Sequence, residues 1–137
     1  MAPLILGAHR FESRLLTGTG RFANLEKTHD ALSASGSQLC TLAVRRVDLS
    51  QGMQSSLLGA LPEGMKLLPN TAGSMTAKDA VRVARLAREA LQTDLVKLEI
   101  LADPHTLYPN NAETLRGAEM LIAEGFTVLP YCGDDPV

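Results

Sequence analysis

The sequence has few of the features that would assign it to a secreted or a membrane class. It contains two cysteines, Cys40 and Cys132, which are too few for a disulfide framework, so we expect a reducing, cytoplasmic setting. No hydrophobic run approaches the roughly 20 residues that span a bilayer. The first residues, MAPLIL, lack the basic leader of a signal peptide. We therefore expect neither membrane insertion nor export.

The sequence also lacks an excess of positive charge. Its 13 Lys and Arg residues against 15 Asp and Glu residues give a net charge of −2 at pH 7. A nucleic-acid-binding protein needs a basic surface, so we exclude nucleic acid as a partner. No Cys and His residues have metal-ligand spacing. A chain of 137 residues with 45% hydrophobic and 20% charged residues is typical of one globular domain, which we predict over 1–137.

The main pattern in the sequence is an alternation of short apolar segments with helical patterns. The apolar segments recur about every 30 residues, the size of one βα unit, and predict strands at 15–18, 39–44, 66–69, 95–100 and 127–131. Helices are predicted over 24–35, 76–91 and 111–124, with a loop and short helix over 49–63. Alternation of this kind predicts an α/β fold with a parallel sheet.

The three helices carry local start and stop signals. Asn24 is typical of an N-cap and Gly36 of a C-terminal stop, while Thr76 and Asp79 have the spacing of a capping box. The helix over 76–91 has one apolar face, formed by Ala80, Val83, Ala84, Ala87 and Leu91. In the last helix we predict that the inward side chains are Leu115, Ala118 and Ile122.

Two architectures fit this alternation, an open five-stranded sheet of flavodoxin type and a (β/α)8 TIM barrel. Asp135 followed by Pro136 is typical of a helix start, because Asp caps and Pro fits the first helical position. A helix that starts at the end of the sequence favours a longer repeat. We therefore predict the first four to five βα units of an eight-unit barrel, which is an incomplete barrel in this chain.

The predicted strand over 95–100 carries two charged residues among aliphatic ones. Side chains alternate along a strand, so Lys97 and Glu99 share a face with Cα atoms about 6.6 Å apart at about 3.3 Å per residue. A lysine with little access to water favours its neutral form, which is a nucleophile toward ketones and aldehydes. A nearby carboxylate can move the protons that imine formation requires. A solvated edge strand or a structural ion pair explains the same spacing.

The chain resembles bacterial thiazole synthase, which makes the thiazole phosphate half of thiamin. The matching segments run along the whole chain, but they cover only about the first half of the family's length. They are SRLLTGTG at 13–20, TLAVRR at 41–46, LLPNTAG at 67–73, ARLARE at 84–89, KLE at 97–99 and EGFTVLPY at 124–131. Their order and spacing together carry the resemblance.

The resemblance implies a (β/α)8 barrel that assembles as a homotetramer. It implies condensation of 1-deoxy-D-xylulose 5-phosphate with dehydroglycine, and sulfur delivered as a thiocarboxylate on a small sulfur-carrier protein. It assigns the imine with the sugar ketone to Lys97 and an acid/base role to Glu99. It implies no metal and no organic cofactor.

The resemblance also implies that the second catalytic acid and the phosphate-binding loops lie outside these 137 residues. We therefore expect the isolated chain to be inactive, and to self-associate through exposed sheet edges. The alternatives are another Schiff-base barrel of class I aldolase type, or a structural fragment that needs its missing half. A receiver-type signalling module is disfavoured, because TGTG at 17–20 and PNT at 69–71 lack the acidic residues that such a module needs.

Overall fold

A computed structural model describes residues 2–46 and 57–134 of the chain. These ranges hold seven strands and three α-helices. The strands are β1 (Leu4–Leu6), β2 (His9–Phe11), β3 (Leu16–Gly18), β4 (Leu39–Ala43), β5 (Lys66–Asn70), β6 (Leu95–Leu98) and β7 (Thr127–Pro130). The helices are α1 (Leu25–Ser35), α2 (Ala77–Leu91) and α3 (Asn111–Ala123), and short 3-10 turns lie at Val44–Arg46 and Leu57–Ala60.

Strands β3 to β7 follow one another in chain order in a single five-stranded sheet. The pairs β3–β4, β5–β6 and β6–β7 are parallel. This arrangement confirms the predicted α/β fold, and its successive βα units are of the kind that build (β/α)8 barrels. All five predicted strands are present, with ends that differ from the prediction by at most two residues. Among the described residues, no helix has both the length and the apolar composition needed to cross a bilayer.

The chain forms two compact units, of which the first ends at Leu68. It opens with a two-stranded antiparallel hairpin, β1–β2, that the sequence analysis did not predict. The side chain of Gln38, just before β4, accepts hydrogen bonds from the backbone N–H groups of Glu12 at 2.6 Å and Ser13 at 3.1 Å. This amide therefore holds the end of the hairpin against the start of the parallel strands. Helix α1 begins at the predicted cap Asn24 and ends at Gly36, whose φ is +65°.

The second unit begins at Pro69 and contains the end of β5, with α2, β6, α3 and β7. Thr76 caps α2 as predicted: its side chain accepts a hydrogen bond from the Asp79 N–H and donates one to the Asp79 carboxylate. The core between the helices and strands is apolar. Its buried members are Ala77, Ala80, Val81, Ala84, Val96, Leu98, Ile100, Leu121 and Phe126.

The predicted inward face of α3 is wrong for two of its three residues. Leu115 and Ile122 are 68% and 61% exposed, whereas Ala118 is half-buried against the core. The buried face is instead formed by Thr114, Gly117 and Leu121. Gly117 explains this rotation, because a Cβ there would lie 3.2 Å from a terminal carbon of Ile100 and 3.5 Å from one of Leu98. The helix packs closest where it has no side chain.

Some predictions concern residues that the structure does not describe. Asp135 and Pro136, which suggested a further helix, lie outside the described residues, as does most of the segment predicted as loop and short helix over 49–63. The part of that segment that is described includes the 3-10 turn Leu57–Ala60. The assignment of 1–137 to a single domain stays a prediction.

Candidate active site

Lys97 and Glu99 lie together on one face of the chain at the end of β6. The Lys97 Nζ is 3.9 Å from Glu99 Oε2. The residues that alternate with them, Val96, Leu98 and Ile100, are all buried in the core. The alternation predicted from the sequence is therefore present, and it turns an amine and a carboxylate to the same side.

The pair is partly shielded from water. The Lys97 side chain is 37% exposed and the Glu99 side chain 19%. In this chain the amine thus keeps some contact with solvent, while the carboxylate is more enclosed. A carboxylate in that position lies near enough to the amine to exchange a proton with it through one water molecule or after a small movement.

Tyr131 forms one wall of the site. Its ring centroid lies 5.8 Å from Lys97 Nζ, within the range of a cation–π contact. The parallel register pairs Lys97 with Leu129, so Tyr131 comes level with Glu99 on the neighbouring chain segment. Tyr131 was not predicted to belong to the site, although counting residues from the starts of the two adjacent predicted strands, 95 and 127, places Tyr131 level with Glu99.

Hydrogen bonds hold Tyr131 at its backbone and at the tip of its side chain. Its backbone N–H donates to the Leu98 carbonyl at 2.8 Å, and its hydroxyl donates to the Leu107 carbonyl at 2.9 Å. Leu107 belongs to the loop that follows β6, where its φ is +61°. Hydrogen bonds from the Thr106 hydroxyl and from the backbone N–H groups of His105 and Thr106 hold the pKa of Asp103 in that loop below its ordinary value of 3.8. The wall of the site therefore rests on an ordered loop.

Thr71, directly after β5, contacts the backbone of both charged residues. Its hydroxyl accepts a hydrogen bond from the Glu99 N–H and donates one to the Glu99 carbonyl, each at 2.8 Å. Its own N–H donates to the Lys97 carbonyl at 3.2 Å. Thr71 is fully buried. In the sequence, Thr71 stands out only as part of the segment LLPNTAG at 67–73, and no residue of that segment was assigned to the site.

Three further polar side chains that follow predicted strands are exposed. His105 and Cys132 are exposed, and Arg45 is exposed in the 3-10 turn after β4. Cys132 lines a cavity of about 250 Å³ beside α3, together with Thr114, Leu115 and Pro130. Within ranges 2–46 and 57–134, no three His, Cys, Asp or Glu side chains are grouped closely enough to hold a metal ion.

Comparison with known proteins identifies relatives along almost the whole chain. The family model described as "Thiazole biosynthesis protein ThiG" matches residues 5–137. The thiazole synthase of Klebsiella pneumoniae is 58% identical over 127 residues, which are 93% of this chain and 50% of that protein. The thiazole synthase of Citrifermentans bemidjiense is 52% identical over 135 residues, which are 98% of this chain and 52% of that protein.

A solved structure supports the same relationship. The Amycolatopsis orientalis BexX/CysO complex contains a chain with a TM-score of 0.73 and 29% identity to this one. The match covers 94% of this chain and 53% of that chain. The present chain spans about half the length of the curated relatives it matches. Because a family model matches nearly every residue and curated relatives share half or more of the aligned positions, the chain belongs to the thiazole biosynthesis protein ThiG family.

Proposed function

We propose that the protein carrying this chain is a thiazole synthase. It condenses 1-deoxy-D-xylulose 5-phosphate, dehydroglycine and sulfur from a carrier-protein thiocarboxylate into thiazole phosphate for thiamin biosynthesis. The observation that carries the proposal is the pairing of Lys97 and Glu99 at 3.9 Å at the end of strand β6, in a chain that belongs to the ThiG family. The supporting contacts of Thr71 and Tyr131 surround the same two residues.

In this proposal Lys97 is the nucleophile. Its neutral amine attacks the ketone carbon of the sugar phosphate, a C–N bond forms as the C=O π bond breaks, and the oxygen takes up a proton that the attacking nitrogen gives up. The resulting carbinolamine loses water to give the iminium, with the nitrogen lone pair forming the double bond. The nitrogen is positive both before the reaction, as an ammonium, and after it, as an iminium.

Glu99 is the proton carrier in this sequence of steps. It takes the proton that Lys97 must lose before attack, and returns a proton to the departing hydroxyl. At 3.9 Å from Nζ the carboxylate is slightly beyond direct hydrogen-bond range, so a small side-chain movement or one water molecule closes the gap. The 19% exposure of its side chain favours proton exchange with the reacting groups over exchange with bulk water.

The proposal includes a protein partner and an assembly. The solved relative is a complex of BexX with CysO, which supports a protein partner for the ThiG-like chain; we propose a sulfur-carrier protein. The full protein forms a homo-oligomer, a tetramer as the resemblance implies, and acts in the cytoplasm. Since this chain spans about half of its relatives, the second acid and the phosphate-binding loops are supplied by residues outside 1–137.

The test uses a chimera that joins these 137 residues to the portion of the Klebsiella pneumoniae thiazole synthase beyond the matched stretch. We expect the chimera to form thiazole phosphate only when the carrier thiocarboxylate is present, and the isolated chain to form none. Carrier-independent condensation of the sugar phosphate with an aldehyde, with no thiazole phosphate formed, would favour the class I aldolase alternative. ThiG family membership favours thiazole synthase over that alternative.

A further inference from the structure

We propose that Thr71 is a positioning residue for the proton carrier Glu99. This inference rests on the proposed function, because it assigns a role to Thr71 through the acid/base role of Glu99. The hydrogen bonds that join Thr71 to Lys97 and Glu99 run to their backbone groups. Thr71 acts through the backbone of Glu99, and so determines where the carboxylate is held.

A single hydroxyl group makes two hydrogen bonds to the backbone of Glu99. Thr71 Oγ1 is 2.8 Å from the backbone nitrogen of Glu99 and 2.8 Å from its carbonyl oxygen. A hydroxyl has one proton to donate and lone pairs to accept, so it satisfies both groups at once. The side chain is fully buried, which leaves no water to replace it.

The position of Glu99 in the chain makes these bonds necessary. Strand β6 ends at Leu98, and β5 ends at Asn70, whose register partner is Lys97. The last backbone bond before Glu99 runs from the Thr71 N–H to the Lys97 carbonyl at 3.2 Å, and backbone pairing of the two segments resumes beyond Glu99, where the Leu101 N–H donates to the Ser74 carbonyl at 2.9 Å. Between these two bonds, the Thr71 side chain takes over from the backbone and holds Glu99 in line with the strand. The sheet is thus extended to the residue that carries the carboxylate.

The same unit contains a second buried threonine whose hydroxyl group makes no such bonds. Thr114 is 3% exposed, and its hydroxyl has no hydrogen-bond partner among the described residues. Burial of a threonine here does not by itself produce a bonded hydroxyl. Thr114 therefore provides a matched control for the loss of a buried hydroxyl group.

The experiment compares Thr71→Val, Thr71→Ser, Thr71→Cys and Thr114→Val in the chimera, alone and combined with Glu99→Gln. Valine matches threonine in shape and removes both hydrogen bonds, whereas serine keeps the hydroxyl. We expect Thr71→Val to lower kcat about tenfold, the effect of losing a buried hydrogen bond, with KM for the sugar phosphate changed less than about twofold. Thr71→Ser restores most of kcat, and Thr114→Val leaves it unchanged.

The double variant separates positioning from general structural support. If Thr71 acts through Glu99, adding Thr71→Val to Glu99→Gln lowers kcat no further, because the group it positions is already lost. Losses that multiply would overturn the inference, as would a Thr71→Val variant with unchanged kcat. Should the valine variant fail to fold, Thr71→Cys, with a similar volume and a weak donor, takes its place in the same comparison.

Borohydride trapping distinguishes a failure of the proposed function from a failure of the role given to Thr71. An unsubstituted chimera in which the sugar phosphate cannot be trapped on Lys97 by borohydride overturns the imine mechanism, and with it the role given to Thr71. A chimera that traps the sugar normally, but in which Thr71→Val and Thr114→Val behave alike, overturns the role of Thr71 alone.

Discussion

The Glu113 carboxylate, in the first turn of α3, accepts a hydrogen bond from the backbone N–H of Ala77, the first residue of α2, at 2.7 Å. The N–H groups of a first helical turn have no partner inside their own helix, so an outside acceptor satisfies one of them. A negative charge at this place also interacts favourably with the N-terminal ends of both helices. One side chain thus joins the starts of two helices that pack on β6.

This contact predicts a pH dependence of stability. The Ala77 N–H, and to a lesser degree the Arg116 guanidinium, hold the pKa of Glu113 below its ordinary value of 4.5, although partial burial opposes them. When folding lowers the pKa of a carboxylate, the ionised group stabilises the folded state. This contribution is complete at pH values above the pKa of the unfolded state, and it is lost as the pH falls through the pKa of the folded state. We therefore expect the chain to lose stability as the pH falls below about 4.5.

Urea unfolding at neutral and acidic pH measures this contribution. Glu113→Gln removes the charge, so the difference in unfolding free energy between the two pH values becomes smaller than in the unsubstituted chain. Glu119→Gln, at an exposed carboxylate of the same helix, serves as the control. Equal pH dependence in the Glu113 variant and the control variant would contradict this reading of the contact.

The orientation of α3 predicts opposite outcomes at two adjacent positions. Leu121 is fully buried in the core, while Ile122 is 61% exposed. In this chain we expect Leu121→Ala to lower the free energy of unfolding by about 2–5 kcal/mol, through lost burial and a cavity. We expect Ile122→Ala to change it by less than about 0.5 kcal/mol. Urea unfolding measures both effects. A larger loss of unfolding free energy in Ile122→Ala than in Leu121→Ala would support the inward face predicted from the sequence.

We expect the two cysteines to differ in reactivity because they differ in burial. Burial raises the pKa of the Cys40 thiol above its ordinary value of 9.0, partly offset by a hydrogen bond with Thr17, and the side chain has no exposed surface. Cys132 is exposed. Since the thiolate is the reactive form, iodoacetamide labels Cys132 in the folded chain and reaches Cys40 only on unfolding. In the folded Cys132→Ser variant, mass spectrometry should then detect no iodoacetamide label. Rapid labelling of that folded variant would show that Cys40 is accessible.

The contact between Lys97 and Tyr131 predicts a modest effect on imine formation. Tyr131→Leu removes the ring that lies 5.8 Å from Lys97 Nζ and helps to hold the amine in place. The loss of a positioning contact of about 0.5–1 kcal/mol should slow borohydride trapping of the sugar phosphate on the chimera about two- to fivefold. Tyr131→Phe keeps the ring but loses the hydrogen bond to Leu107, so it separates the two functions of the side chain. If the leucine variant is trapped as fast as the unsubstituted chimera, Tyr131 has no part in imine formation.

The sequence was sufficient for features that depend on local patterns. The caps Asn24 and Thr76, the five parallel strands and the shared face of Lys97 and Glu99 follow from spacing alone, and all are present. The β1–β2 hairpin was missed because three-residue strands are too short to show alternation. Gly7 in its turn, with a φ of +56°, was the available signal.

The remaining errors concern features that depend on contacts between distant residues. Hydrophobicity favoured Leu115 and Ile122 as the inward residues of α3, but the close approach of Gly117 to Leu98 and Ile100 decided otherwise. The roles of Thr71 and Tyr131 depend on the register of three strands and on β6 ending at Leu98. Sequence spacing within one strand carries no information about either.

The central claim is that Lys97 captures the sugar as an imine, and borohydride trapping with peptide mapping tests it most directly. The chimera is incubated with 1-deoxy-D-xylulose 5-phosphate, reduced, digested and analysed by mass spectrometry, beside its Lys97→Ala and Lys97→Arg variants. We predict one stable adduct, on the peptide that contains Lys97, and none in either variant. An adduct of equal yield in Lys97→Ala, or one located on another lysine, would contradict the account.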